Sequence, residues 1–261
     1  MKWFTHRGIP LEYEDEGSGI PFLFLHGMGG SDKQIRSVCG PVPGVRRIIL
    51  NQQGHGRSGA DWDSYSFDRL GDDAAALLDH LDIDRAVLGG ISMGAAVSLN
   101  TAIRYPGRVR ALLLIRNAWT DKPMSEEVQT AYADLGRCLK EGGAEAFKQT
   151  EGWKIVDGPS DYTRNAFLQP FDDPASVRNW QKYLILPAMV PVSCPADFQR
   201  INVPVTIAAC RGDLCHPFEY GKYLAEQIPG CEFHEIPDKD TDAPRQNRRI
   251  GELIREILRL A

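Results

Sequence analysis

The pentapeptide Gly90-Ile91-Ser92-Met93-Gly94 decides the fold of the chain. It follows the apolar run Ala86-Val87-Leu88 and precedes a run of small residues from 95 to 105, which predicts a strand, a sharp turn and a helix. Glycines on both sides let the backbone close up without a Cβ clash. The turn places the Ser92 hydroxyl near a helix N-terminus, whose free N–H groups favour developing negative charge. In this context the pattern G-x-S-x-G predicts a nucleophilic serine.

Apolar runs alternate with helical patterns on both sides of this turn. Four of them read as buried strands in the first half of the chain: 21–25, 47–50, 86–88 and 111–115. Two more follow near the C-terminus, at 203–209 and 231–236. Residues 3–14 predict an edge hairpin around Gly8-Ile9-Pro10. The alternation favours an α/β fold with a mostly parallel sheet and helices on both faces.

The alternation stops between residues 119 and 200, where no strand is evident. Capping and turn signals predict three helices here, over 125–139, 160–168 and 175–184. We therefore expect a helical cap insertion at 119–200, between two parts of one core at 1–118 and 201–261.

Composition narrows the class of protein. The 261 residues carry a net charge of −5, which argues against a nucleic-acid partner. The N-terminus lacks the apolar segment of a signal peptide, and no run is long enough to span a bilayer. Six scattered cysteines without a metal-type pair predict reduced thiols and a cytoplasmic location. We expect a small-molecule substrate, no cofactor, no metal, and a monomer or homodimer.

Three further motifs accompany the Ser92 turn. They are His26-Gly27-Met28-Gly29-Gly30 after one strand, Gly54-His55-Gly56-Arg57-Ser58 after the next, and the Asp213 loop after the penultimate strand. Together with the turn, they make the chain resemble the α/β-hydrolase fold family of the capped, esterase-like kind. The resemblance implies an eight-stranded, mostly parallel sheet and a pocket between sheet and cap.

The resemblance also implies roles for individual residues. Ser92 would be the nucleophile, and the backbone N–H groups of Met28 and Met93 would form the oxyanion hole. Asp213 would orient the catalytic base. A serine at the turn separates this chain from haloalkane dehalogenases and epoxide hydrolases of the same fold, which carry an aspartate there.

The chain departs from the family at the catalytic histidine, which normally follows the last strand. No histidine follows His234, although a serine needs a base to take its proton. His216, three residues beyond Asp213, is the favoured substitute. The alternatives are the motif residues His26 and His55, the strand residue His234, and the carboxylates Asp240 and Asp242. A second departure is Asn51-Gln52-Gln53, where relatives commonly carry an ion pair, and this change is expected to affect loop attachment.

The sequence therefore predicts a hydrolase of small esters, lactones or related acyl compounds. Two alternatives stay open because the usual histidine is missing. One is a lyase or C–C bond enzyme, which depends more on the oxyanion hole than on nucleophilic attack. The other is a non-catalytic ligand binder on the same scaffold.

Overall fold

The computed structural model describes residues 1–260, which contain an eight-stranded sheet with strand order β1-β2-β4-β3-β5-β6-β7-β8. The strands are β1 (Lys2–His6), β2 (Ile9–Gly17), β3 (Ile20–Leu25), β4 (Val45–Leu50), β5 (Ala86–Ile91), β6 (Val109–Ile115), β7 (Val205–Ala209) and β8 (Glu232–Glu235). β1 and β2 form the predicted antiparallel hairpin, and β2 also pairs antiparallel with β4. The remaining neighbours, in the order β4-β3-β5-β6-β7-β8, pair in parallel.

Helices connect the strands and fill the segment between β6 and β7. Their bounds are α1 (Asp32–Val38), α2 (Phe67–His80), α3 (Met93–Arg104), α4 (Glu126–Lys140), α5 (Gly143–Phe147), α6 (Glu151–Asp157), α7 (Asp161–Asp172), α8 (Pro174–Arg178), α9 (Gln181–Ile185), α10 (Phe218–Gln227) and α11 (Lys239–Leu260). Within residues 1–260, no helix is both long and apolar enough to cross a membrane.

Both faces of the sheet are covered. Alternate residues of β3 divide between two apolar clusters, with Leu23 and Leu25 on the face of α2 and α3. Phe22 and Phe24 lie on the opposite face with α1 and α11. This explains the unbroken apolar runs, because a strand buried on both faces has no polar positions.

The helical segment between β6 and β7 differs from its prediction in detail. The helix predicted over 175–184 is divided into α8 and α9, because Asn179 leaves the helical conformation at φ −114°, ψ 42°. The short helices α5 and α6 were not predicted, since five and seven residues are too few to show a clear apolar period. Ser160, the first residue of the helix predicted over 160–168, is the N-cap of α7, and its hydroxyl accepts the Thr163 N–H.

The last helix, α11, begins well before Ile250, the first apolar residue of its buried stripe. It starts at Lys239 and is interrupted at Asp242, whose backbone leaves the helical region at φ −152°, ψ 70°. The first part is polar and therefore shows no apolar stripe in the sequence.

Candidate active site

The carboxyl ends of β5, β6 and β7 meet at one edge of the sheet. Ile91 pairs with Ile115, and the Ser92 N–H donates to the Ile115 carbonyl at 2.9 Å. The Arg116 N–H donates to the Ala208 carbonyl at 2.7 Å. Ser92 and Arg116 are therefore neighbours at this edge, and the loop that follows β7 starts on the far side of Arg116.

Ser92 occupies a strained turn. Its backbone has φ 57° and ψ −114°, a conformation that residues with a side chain rarely adopt. Gly90 and Gly94 must be glycines, because other backbone atoms lie too close to leave room for a Cβ. A Cβ on Gly90 would lie 2.0 Å from the Gly94 carbonyl carbon, and one on Gly94 would lie 2.1 Å from the Leu25 carbonyl oxygen. The predicted strand, sharp turn and helix are confirmed.

The loop after β3 lies directly against Ser92. A Cβ placed on Gly27 would be 3.4 Å from the Ser92 Cβ. Within residues 1–260, the N–H groups of Met28 and Met93 donate to no protein acceptor, and the Ser92 hydroxyl also lacks a hydrogen-bond partner. Two free N–H donors thus accompany a free hydroxyl at this edge of the sheet.

Two buried histidines hold this loop in place. The Nε2 of His55 lies 2.7 Å from the Met28 carbonyl oxygen, and the Nε2 of His26 accepts the Gln52 N–H at 3.1 Å. Burial lowers the pKa of His26 to about 4 and that of His55 well below its ordinary value. Because both rings are used in loop contacts, neither is free to act on Ser92.

The amides of Asn51, Gln52 and Gln53 also attach loops, in agreement with the sequence analysis. Each donates through its NH₂ group to an oxygen between 2.6 and 2.9 Å away. The acceptors are, in order, the Glu12 carboxylate, the His26 carbonyl and the Asp73 carboxylate.

Asp213 follows β7 and is buried between two partners. Its Oδ1 lies 2.8 Å from the Nδ1 of His216, and its Oδ2 accepts the Nε–H of Arg116 at 2.8 Å. Burial alone would raise the pKa of this carboxyl, but His216 and Arg116 outweigh it and hold the pKa well below its usual range. Asp213 is therefore a carboxylate, shared between an imidazole and a guanidinium.

The contact with Asp213 fixes the tautomer of His216. A carboxylate oxygen at 2.8 Å requires a proton on Nδ1, so the 3.2 Å approach of the Arg116 Nη2 to the same atom is not a hydrogen bond. Burial, together with the charges of Arg116 and Lys239, lowers the pKa of His216 despite the nearby carboxylate. The neutral ring then carries its lone pair on Nε2, which is the form that a general base needs.

The remaining candidate bases are occupied elsewhere. The Nδ1 of His234 on β8 lies 3.2 Å from the Arg249 guanidinium. Asp240 accepts the backbone N–H of Tyr162 at the start of α7, and Asp242 accepts a backbone N–H within α11. The two carboxylates thus serve as helix caps.

Three residues at this edge were missed in the sequence. Arg116 is buried after β6, the Tyr162 hydroxyl accepts its Nη1–H at 3.1 Å, and the Lys239 ammonium donates to the same hydroxyl at 3.3 Å. The available signal was Arg116 itself, a charged residue immediately after the apolar run 111–115. Tyr162 and Lys239 gave no signal, because helix ends commonly carry such residues.

A cleft of about 1090 Å³ opens beside this cluster. It is lined by residues 29–34, by parts of α7 and α8, and by Lys239. Ser92, Asp213 and His216 do not line this cleft. It therefore adjoins the loop that carries Met28 without opening onto the serine.

Comparison with known proteins agrees with this architecture. A family profile described as "alpha/beta hydrolase fold" matches residues 20–137. The chain is 27% identical to the AB hydrolase superfamily protein YisY of Bacillus subtilis (strain 168), over 88% of this chain and 87% of that protein. It is 34% identical to the 2-hydroxymuconate semialdehyde hydrolase of Pseudomonas sp. (strain CF600), over 51% of this chain and 50% of that protein.

Among solved structures, the chain resembles MGS-M2, an α/β-hydrolase enzyme from a Medee basin deep-sea metagenome library. The TM-score is 0.80 at 17% identity, with 100% of this chain and 98% of that chain covered. At this identity, the likeness concerns the fold.

Proposed function

Because the chain has the α/β-hydrolase fold and matches the profile of that family over residues 20–137, we propose that it hydrolyses a small ester, lactone or related acyl compound with Ser92 as the nucleophile. The observation that carries the proposal is the contact of His216 Nδ1 with Asp213 Oδ1 at 2.8 Å. This contact leaves Nε2 unprotonated in a loop at the same sheet edge as Ser92. His216 thereby takes the part of the histidine that is missing after β8.

In this mechanism, the Ser92 Oγ attacks the substrate carbonyl and its proton passes to His216 Nε2, directly or through one water. The carbonyl oxygen becomes an oxyanion and accepts hydrogen bonds from the backbone N–H groups of Met28 and Met93. Collapse of the intermediate expels the alcohol, which takes the proton from His216. A water molecule then gives a proton to His216 and attacks the acyl-Ser92 ester. The acid leaves, and His216 returns the proton to the Ser92 Oγ, which restores the free enzyme.

The helical segment 119–200 acts as a cap in this proposal. Its helices α7 and α8 form a wall of the cleft beside the loop that carries Met28. The buried amino group of Lys182 on α9 donates to the Gly54 carbonyl at 3.1 Å, which attaches the segment to the core. A cap in this place would limit access of water to the acyl intermediate.

Labelling with a fluorophosphonate probe tests the proposal. Wild type should be labelled, while Ser92→Ala should not be labelled and His216→Ala should be labelled much more slowly. His80→Ala is the matched control, since His80 is exposed at the end of α2, away from the site. Labelling of His216→Ala at the wild-type rate would remove His216 from the mechanism. A folded wild type that is not labelled would favour a ligand binder or a reaction without a serine nucleophile.

A further inference from the structure

The cluster of Arg116, Tyr162 and Lys239 contains two cations, of which only Arg116 forms an ion pair. The Arg116 guanidinium is neutralised by the Asp213 carboxylate. Within residues 1–260, the Lys239 ammonium has no carboxylate within 4.0 Å, and its contacts in this cluster are the Tyr162 hydroxyl at 3.3 Å and the Tyr162 ring at 4.5 Å. The Lys239 ammonium therefore makes no direct ion pair, and the Asp240 carboxylate at the same end of α7 is used by the Tyr162 backbone N–H.

The Tyr162 hydroxyl has an unused donor. Its oxygen accepts the Arg116 Nη1–H at 3.1 Å and the Lys239 Nζ–H at 3.3 Å. Both contacts use the oxygen as an acceptor, and the hydroxyl hydrogen has no acceptor in the part of the chain that the structure describes. Burial would raise the pKa of Tyr162, but the two cations outweigh it and lower the pKa, so the surroundings favour negative charge here.

The side chains of Tyr162 and Lys239 lie at the surface of an open cleft. Tyr162 and Lys239 line the 1090 Å³ cleft, which is also lined by Gly29 and Gly30 of the loop that carries Met28. Asn165 and Gln169 of α7 add neutral amide groups, whereas the carboxylates of Asp172 and Asp173 line the cleft at the far end of α7. A ligand that accepts hydrogen bonds and carries negative charge would match the end of the cleft at Tyr162 and Lys239.

We propose that Tyr162 and Lys239 bind a carboxylate carried by the substrate, so that the enzyme prefers acyl compounds with a free carboxylate, such as half-esters of dicarboxylic acids. The carboxylate would accept the Tyr162 O–H and a Lys239 N–H, which are charge-assisted hydrogen bonds. Because Ser92 and His216 do not line the cleft, reaction at Ser92 requires the acyl chain to extend from this wall beyond the loop that carries Met28. This inference rests on the proposed function for the reaction at Ser92, but the anion site itself does not.

A matched pair of substrates tests the preference. Mono-4-nitrophenyl glutarate carries a carboxylate, whereas 4-nitrophenyl valerate has the same acyl chain length without one. We expect wild type to show a higher kcat/KM for the half-ester. Lys239→Met and Tyr162→Phe should each reduce the ratio of the two kcat/KM values at least about tenfold, mainly through a higher KM for the half-ester. Lys33→Met is the control, because Lys33 lines the same cleft from α1 and is exposed, and it should leave the ratio unchanged.

Binding of glutarate, measured by calorimetry, separates this inference from the proposed function. Glutarate is not turned over, so its affinity does not depend on Ser92. The anion site is supported if glutarate binds to wild type and to Ser92→Ala and binds more weakly to Lys239→Met. This result would support the site even if fluorophosphonate labelling failed. The inference would be overturned if wild type, Lys239→Met and Tyr162→Phe had equal glutarate affinities and equal substrate ratios. If Ser92 were labelled in the same preparations, the proposed function would still stand. An equal fall of the substrate ratio in Lys33→Met would mean that the general charge of the cleft causes the preference. That result would also overturn the inference.

Discussion

Ser92 and Arg116 lie side by side at the carboxyl edge of the sheet, and both have left-handed backbones, with φ 57° and φ 51°. The Arg116 side chain reaches the Asp213 carboxylate, which is also the partner of His216. A cation therefore shares the carboxylate of the proposed catalytic pair. Its charge keeps Asp213 ionised and favours a neutral His216, the two states that the proposed mechanism requires.

We expect Arg116→Met to lower the free energy of unfolding at pH 7 by about 3–5 kcal/mol, because it leaves Asp213 as a buried carboxylate without its cation. Urea denaturation measures this loss. Arg116→Lys keeps the charge but loses the forked contact, so its loss should be smaller. Arg110→Met is the control, since Arg110 is exposed on the same strand. Equal stabilities of Arg116→Met and Arg110→Met would contradict a stabilising Arg116–Asp213 pair.

The lowered pKa of His216 predicts the pH dependence of the reaction. A general base works in its neutral form, so kcat/KM should stay constant as the pH falls from 8 and decrease only below about 6.5, the ordinary pKa of histidine. The charge of Lys239 contributes to lowering this pKa. Lys239→Met should therefore move the acid limb of the profile to higher pH.

Lys33→Met again serves as the control for this profile, because Lys33 is not among the groups that shift the pKa of His216. An acid limb centred above pH 7 in wild type, or one that moves down in Lys239→Met, would show that another group acts as the base.

Ser92→Gly should be more stable than Ser92→Ala by about 1 kcal/mol. Glycine tolerates the positive φ of this turn, whereas alanine keeps the strain caused by a Cβ, and the difference is partly offset by the greater freedom of glycine in the unfolded chain. Both variants lack the hydroxyl, so the comparison isolates the backbone. Thermal or urea unfolding of the pair gives the value. A glycine variant less stable than the alanine variant would mean that the turn stores no strain.

The sheet and the Ser92 turn could be predicted because local patterns determine them. Apolar runs buried on both faces and paired glycines are visible in a few consecutive residues. The contact between Asp213 and His216 could also be predicted, since the two are three residues apart in one loop. These predictions depend on sequence neighbours and on the order of strands at one edge.

The charged cluster could not be predicted, because its contacts join distant parts of the chain. The residues of the Arg116–Asp213 contact are 97 positions apart, and those of the Lys239–Tyr162 contact are 77 apart. Lys182 is a similar case. A lysine in an amphipathic helix is ordinarily exposed, but this one is 1% exposed because it meets the Gly54 carbonyl, 128 positions away.

Lys182 should make stability depend on pH. Burial lowers its pKa to about 7, whereas an unfolded lysine titrates near 10.4. Between these values the unfolded chain binds the proton and the folded chain does not, so this residue makes folding more favourable as the pH rises. The slope is about 1.4 kcal/mol per pH unit. Below pH 7 both states bind the proton, and the cost of the buried charge becomes constant.

Lys182→Met should remove this contribution. The variant should gain stability relative to wild type at pH 7, and the gain should shrink by about 3 kcal/mol by pH 10, as measured by urea denaturation at each pH. Other groups that titrate in this range cancel in the difference between the two proteins. Lys222→Met is the control, because the Lys222 side chain is 46% exposed, and its difference from wild type should not vary with pH. Parallel stability curves for Lys182→Met and wild type would show that Lys182 stays protonated in the fold and that its hydrogen bond to Gly54 is made by a full charge.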